Sequence, residues 1–190
     1  MNYFVLKGRA ALEALDNVQP VDTPECPFDW RFVVECTSCG EEPYRAIVIN
    51  LFAKFQVENS ERTWNFRASC EYCPSTHLAL IRRTKGAFRE DCEDEWVDLL
   101  HIIADGIKFK KFREKKSIWH GTSEFGSKTY ENINLEYSSW CDYDMDYYQL
   151  ICMDNARFQI VLAEDIYEKM FKARDGVVHQ VAMLSKKLRI

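Results

Sequence analysis

Residues 30–42 read WRFVVECTSCGEE, and the rest of the chain is most easily interpreted from this stretch. Trp30–Cys36 is rich in β-branched and aromatic residues, as a strand requires, and it runs into the pair Cys36-x-x-Cys39 with Gly40 directly behind. A second unit repeats the arrangement: TWNFRASC, residues 63–70, runs into Cys70-x-x-Cys73, followed by Pro74. Each thiol pair therefore sits on a turn at a strand end. Gly40 is free to take positive φ and aim backbone N–H groups at sulfur, while Pro74 stiffens the second turn.

Outward from these two units, short β-like runs dominate the first 160 residues. They are NYFVLKGRA from Asn2, YRAIVINLFAKFQV from Tyr44, HLALIRR from His77, DGIKFKKF from Asp105 and RFQIVLA from Arg157. Many short strands with turn-like punctuation predict a mainly β, single-domain fold of the sandwich or barrel-like kind. One segment is ambiguous. DEWVDLLHIIADG, residues 94–106, places Trp96, Leu99, Leu100 and Ile103 on one helical face, with acids at its start and Gly at its end, and a strand through VDLLHII competes with that helix. The tail differs again: from Ala163, Ile166, Tyr167, Met170 and Phe171 recur at helical spacing before Gly176, which predicts a C-terminal helical extension over residues 163–190, appended to a β domain over 1–162.

Composition bounds the function. The chain has 190 residues, 47% hydrophobic and 29% charged, with seven Gly and five Pro, as ordinary globular proteins do. A formal charge of −5 argues against wrapping nucleic acid through the overall field, because that binding is driven by clustered Lys and Arg releasing counterions. No apolar run reaches the ~18 to 20 residues of a membrane helix, and the first residues lack the order of a signal peptide. The expected location is the cytoplasm or the nucleus. In that reducing setting eight cysteines are not expected to form a disulfide framework.

The two pairs, separated by residues 40–69, are further apart than in a compact zinc ribbon but suit two hairpin tips brought together by a sheet. Four thiolates at the corners of a tetrahedron suit zinc. Core packing is the reading for a lone Cys, but turn-bordering pairs are a poor use of core positions. A redox reading needs a thioredoxin-like setting with a helix after the first Cys, and no helix signal follows Cys39 or Cys73. A zinc held by four cysteines has no open coordination position, so it contributes folding energy rather than catalysis.

Other constellations have simpler readings. The acidic run EDCEDE (90–95) and the basic run KFKKFREKK (108–116) read as solvated loops or edge-strand decoration. If the basic run binds, Lys108, Lys110, Lys111 and Arg113 beside Phe109 and Phe112 would meet an acidic partner or an RNA backbone. Asp142, Asp144 and Asp146 alternate in WCDYDMDYY but lack the Gly and distal Glu of an EF-hand, so an acidic exposed strand or turn is expected. His77, His101, His120 and His179 are dispersed, and no nucleophile with its base stands out.

The chain resembles the eukaryotic CXXC-motif-containing zinc-binding proteins, through LEALDNVQPV (12–21), FDWRFVVECTSCGE (28–41), NFRASCEYC (65–73), ADGIKFKKF (104–112) and INLEYSSWCDYD (133–144). The resemblance covers residues 3 to 162. It implies a mainly β domain binding one zinc through four cysteines, which carry over onto Cys36, Cys39, Cys70 and Cys73, and no established catalytic activity. The basic run is heavier here than in that family, and residues 163–190 follow its usual end.

The expected function is thus a non-enzymatic module with one structural zinc per chain, acting on a protein partner, with nucleic acid and membrane disfavoured and a monomer preferred. The alternative is thiol chemistry, in which the same cysteines handle zinc or copper or form reversible disulfides.

Overall fold

In the computed structural model, which describes residues 1–58, 62–92, 95–114, 118–125 and 128–163, alternation along the chain becomes a set of antiparallel sheets. The strands are β1 (Asn2–Glu13), β2 (Leu15–Pro20), β3 (Trp30–Cys36), β4 (Ile47–Ile49), β5 (Phe55–Gln56), β6 (Thr63–Trp64) and β7 (Phe66–Ser69). They continue with β8 (Thr76–Arg83), β9 (Val97–Asp105), β10 (Ile107–Phe112), β11 (Ile118–Ser123), β12 (Thr129–Asn134), β13 (Trp140–Asp144) and β14 (Gln149–Leu162). The largest sheet has the order β13-β14-β1-β9-β8-β7, and two three-stranded sheets have the orders β10-β3-β4 and β12-β11-β2. Among the described residues there is no α-helix, only a 3₁₀ turn at Glu90–Cys92 within the acidic run.

The sheets share one core. Phe4 and Leu6 of β1 and Leu100 and Ile102 of β9 meet Phe32 and Val34 of β3, Phe109 of β10 and Trp119 of β11. Aromatic rings fill the gap between layers, with Phe32 edge-on to Phe109 at 4.8 Å and Phe158 of β14 5.0 Å from Phe112 and 5.9 Å from Trp119. Such pairs add directional preference to the gain from burying large apolar surfaces. The mainly β fold read from the sequence is present.

Three readings are resolved or revised. Of the two alternatives for the segment up to Gly106, the strand holds: Val97–Asp105 is β9, paired to β1 on one side and β8 on the other. Its apolar residues mimic helical spacing because both faces are covered. Leu100, Ile102 and Ala104 enter the main core, while Ile103 packs with Trp64 and Leu78 in a second cluster on the opposite face. A strand buried on both faces reads as a continuous apolar run. Second, the long run from Tyr44 yields only β4 and the two residues of β5, with Asn50 capping the turn between them through bonds to the N–H groups of Phe52 and Ala53. Third, where the sequence predicts no disulfides, Cys141 and Cys152 are joined as a disulfide across β13 and β14. β14 ends at Leu162; the helical extension predicted for the tail falls, from residue 164 on, outside the described residues.

Candidate metal centre

Cys36 is the last residue of β3 and is buried. Behind it the chain turns tightly: the Gly40 amide donates to the Cys36 carbonyl at 2.9 Å, and the Cys36 amide donates to the Glu41 carbonyl at 2.9 Å. Gly40 takes φ of 76°, the left-handed conformation glycine adopts without steric cost. The second knuckle caps the β7–β8 hairpin, in which Ser69 faces Thr76, and the Cys70 amide donates to the Ser75 carbonyl at 2.8 Å. The Tyr72 amide points at Cys70 Sγ from 3.5 Å, and Ser75 Oγ lies 3.2 Å from Cys73 Sγ.

The knuckles belong to different sheets, and one glycine brings them together. Gly106, φ 73°, links β9 of the large sheet to β10, the partner of β3. Its carbonyl accepts the Thr37 amide of the first knuckle at 3.0 Å. A Cβ added there would lie 2.2 Å from the Thr76 carbonyl oxygen and 3.5 Å from the His77 ring, on the second hairpin.

The result is a convergence of sulfur. Cys36 Sγ lies 3.7 Å from Cys73 Sγ, Cys39 Sγ lies 3.7 Å from Cys70 Sγ, and all four fall within 4.8 Å of one another. Four thiolates about 2.3 Å from a central zinc stand about 3.8 Å apart in an ideal tetrahedron. The donor set, its number and its spacing all fit that ion.

Electrostatics point the same way. The His77 side chain beside Cys36, with help from the Cys39 and Ser38 amides and against burial, brings that thiol down to about 5. Ser75 lowers Cys73 through its hydroxyl and its amide. Cys39 goes the other way: the Glu41 amide favours its thiolate, but partial desolvation by the neighbouring knuckle and the thiols of Cys36, Cys70 and Cys73 outweigh it and push Cys39 up to about 12. The pocket readily accepts part of the charge of four thiolates and resists the rest. A divalent cation supplies the missing positive charge.

Residues 5–161 match the family described as "CXXC motif containing zinc binding protein, eukaryotic". The chain belongs to that family. The chain is 21% identical over 145 residues to the UPF0587 protein F46B6.12 of Caenorhabditis elegans, covering 76% of this chain and 85% of the worm protein. It is 24% identical over 160 residues to the UPF0587 protein C2D10.03c of Schizosaccharomyces pombe, covering 84% and 98%. Its fold is shared with the crystal structure of C1orf123 at a TM-score of 0.76 and 18% identity, over 85% of this chain and 99% of that one. A hypothetical protein from Plasmodium falciparum superposes with a TM-score of 0.71 at 22% identity, over 85% and 100%.

The structure thus brings together Cys36, Cys39, Cys70 and Cys73 as the sequence predicted. It also adds His77, whose ring is buried against the cluster with Nε2 lacking a hydrogen-bond partner. The signal for it was position: His77 lies four residues after Cys73, on the strand leaving the second knuckle. Other expectations sort differently. Phe109 and Phe112 of the basic run are core residues, while Lys108, Lys110, Lys111 and Arg113 stand exposed, and Lys110 pairs with Glu35 at 2.8 Å. Of the three alternating acids, Asp144 is buried rather than exposed. It accepts bonds from Lys128 Nζ at 2.9 Å, from the Tyr130 hydroxyl and from the Asp146 and Tyr147 amides, which organise the β13–β14 turn. No helix of the described residues is long and apolar enough to cross a membrane.

Proposed function

We propose that this member of the CXXC zinc-binding family is a non-enzymatic β module in which Cys36, Cys39, Cys70 and Cys73 hold one structural zinc, and that it acts by binding a protein partner. The observation that carries the reading is the tetrahedral spacing of four sulfurs drawn from two sheets. Bound there, zinc supplies charge neutralisation and a cross-link. With four protein thiolates on the ion, no position remains for water or substrate, so the metal serves the fold.

The surface around the knuckles is suited to contact. Tyr44 and Tyr72 are exposed beside Glu41, Glu42 and Glu71, giving aromatic anchors in an acidic setting. Aromatic anchors of this kind carry a large share of the energy of protein interfaces. Metal analysis of purified protein is expected to find about one zinc per chain. A cytoplasmic or nuclear pull-down comparing the intact chain with one ending at Ala163 asks who binds and whether the tail contributes. Recovery of no partner by either form counts against the interaction, and two zinc-free preparations of full stability would sink the structural role.

A second reading rests on the exposure of Cys39, which leaves one corner of the tetrad open to attack by oxidants or competing thiols. In that reading the protein hands its metal on. Zinc release at mild oxidant concentrations supports it, and alkylation-resistant thiols oppose it.

A further inference from the structure

A second set of metal-ligating side chains lies on β13 and β14, in the large sheet. Cys141 stands directly opposite Cys152, with Cα atoms 4.2 Å apart. Residues two apart on a strand share a face, so Asp154 lies beside Cys152, while Ile151 and Met153 of the same strand point into the core. On the other flank of β14, β1 places Glu13 opposite Cys152 and Ala11 opposite Asp154. The two sulfurs and a carboxylate oxygen of Asp154 fall within 4.8 Å of one another. Against them opens a cavity of about 290 Å³ lined by Ala11, Leu12, Glu13, Cys152 and Asp154. Cys152 is buried and Cys141 exposed, so the pair is anchored on one side and reachable on the other.

We propose that Cys141, Cys152 and Asp154 form a second metal site, for a thiophilic divalent cation of the zinc class, available when the two cysteines are reduced and closed when they are joined. Two thiolates and a carboxylate are a zinc-type donor set, and three protein ligands leave the fourth position facing the cavity and Glu13. This site is therefore open where the Cys36 tetrad is closed. Strand register holds the donors in place, since the three residues belong to two directly paired strands.

The redox step balances through thiol–disulfide exchange. Two molecules of a low-molecular-weight thiol are oxidised to one disulfide, the Cys141–Cys152 bond breaks, and each protein sulfur takes up one proton. The cation then displaces those two protons to solvent. In reverse, a low-molecular-weight disulfide oxidises the two thiolates, is itself reduced to two thiolates, and the cation leaves.

The test is a zinc titration of the full chain, reduced with a phosphine and kept from air, against a chromophoric chelator. The reduced wild type is expected to bind one equivalent more than reduced Cys141→Ser, and Asp154→Asn, which keeps both thiols, to bind that extra equivalent at least about tenfold more weakly. Wild type in which this pair has been reoxidised, shown by the loss of two titratable thiols, should match Cys141→Ser. The readout is the difference between variants, so it stands whether or not the Cys36 tetrad holds zinc. Equal binding by reduced wild type and Cys141→Ser, or an Asp154→Asn affinity equal to wild type, would overturn the site. Undiminished binding after reoxidation would overturn its redox gate.

Discussion

Cys36 Sγ and Cys73 Sγ lie 3.7 Å apart although 37 residues and a change of sheet separate them. The contact depends on β10, which leaves the large sheet at Gly106 and pairs with β3, bringing the end of β3 against the β7–β8 hairpin. A metal clasp placed there stabilises the junction between layers rather than either sheet alone.

Zinc removal should therefore loosen that junction. With free zinc about 1,000-fold above its dissociation constant, binding to the folded state alone contributes about 4 kcal/mol. Thermal unfolding with and without a strong chelator should show a loss of that order. Cys36→Ser or Cys70→Ser should lower zinc content and melting temperature together, with chelator then having little further effect on the variant.

Gly106→Ala tests the joint itself. A side chain in the left-handed conformation costs roughly 1–2 kcal/mol, and the added Cβ would strike the Thr76 carbonyl at 2.2 Å. The expected loss by denaturant titration exceeds about 2 kcal/mol, accompanied by weaker zinc retention in a chelator competition. A variant that keeps wild-type zinc affinity would detach the joint from the metal site.

Asn65 ties the loop before β5 to β8. Its Nδ2 donates to the Leu51 and Ala53 carbonyls at 2.9 and 3.0 Å, and its Oδ1 accepts the Ile81 amide at 2.8 Å, all in a largely buried setting. Asn65→Ala leaves these groups without partners, each at a cost of about 1 kcal/mol or more, so a total near 3 kcal/mol is expected in urea unfolding.

Asp144 supplies a pH signature. The Tyr130 hydroxyl first, with Lys128 and two turn amides and against burial, holds its carboxyl down to about 2. An unfolded aspartate titrates near pH 3.9, so this contribution is complete above roughly pH 5 and is lost as the pH falls towards 2. Asp144→Asn should lower stability at neutral pH, and the gap between wild type and variant should close on acidification. A gap that is constant from pH 6 to 2.5 would contradict the network.

Nucleic acid should not bind through the basic run. Its phenylalanines face the core, leaving a short line of lysines on an acidic protein. Unchanged migration of RNA in low-salt gels is expected, and a shift lost steeply with added salt would reverse that conclusion.

Much of the candidate centre was legible because its chemistry is local. A CxxC pair presents two thiols from one turn whatever surrounds it, and a strand before each pair shows in its β-branched and aromatic residues. Residue types alone nominated Cys36, Cys39, Cys70 and Cys73, and the run Trp30–Cys36 is β3 as read. His77 was visible as a residue but not as a neighbour of Cys36, since that proximity depends on β8 lying against the Gly106 turn.

Several of the strands, the four candidate thiols and the mainly β class were legible in the sequence by itself, because periodicity, turn residues and thiol spacing act over a few residues. Tertiary structure alone decided that VDLLHII is a central strand, that Phe109 and Phe112 face inward, that Asp144 is buried, and that Cys141 meets Cys152. The physical reason is shared. Each depends on which distant strand supplies the missing hydrogen bonds or covers the second face, and that pairing is settled by the packing of the whole core.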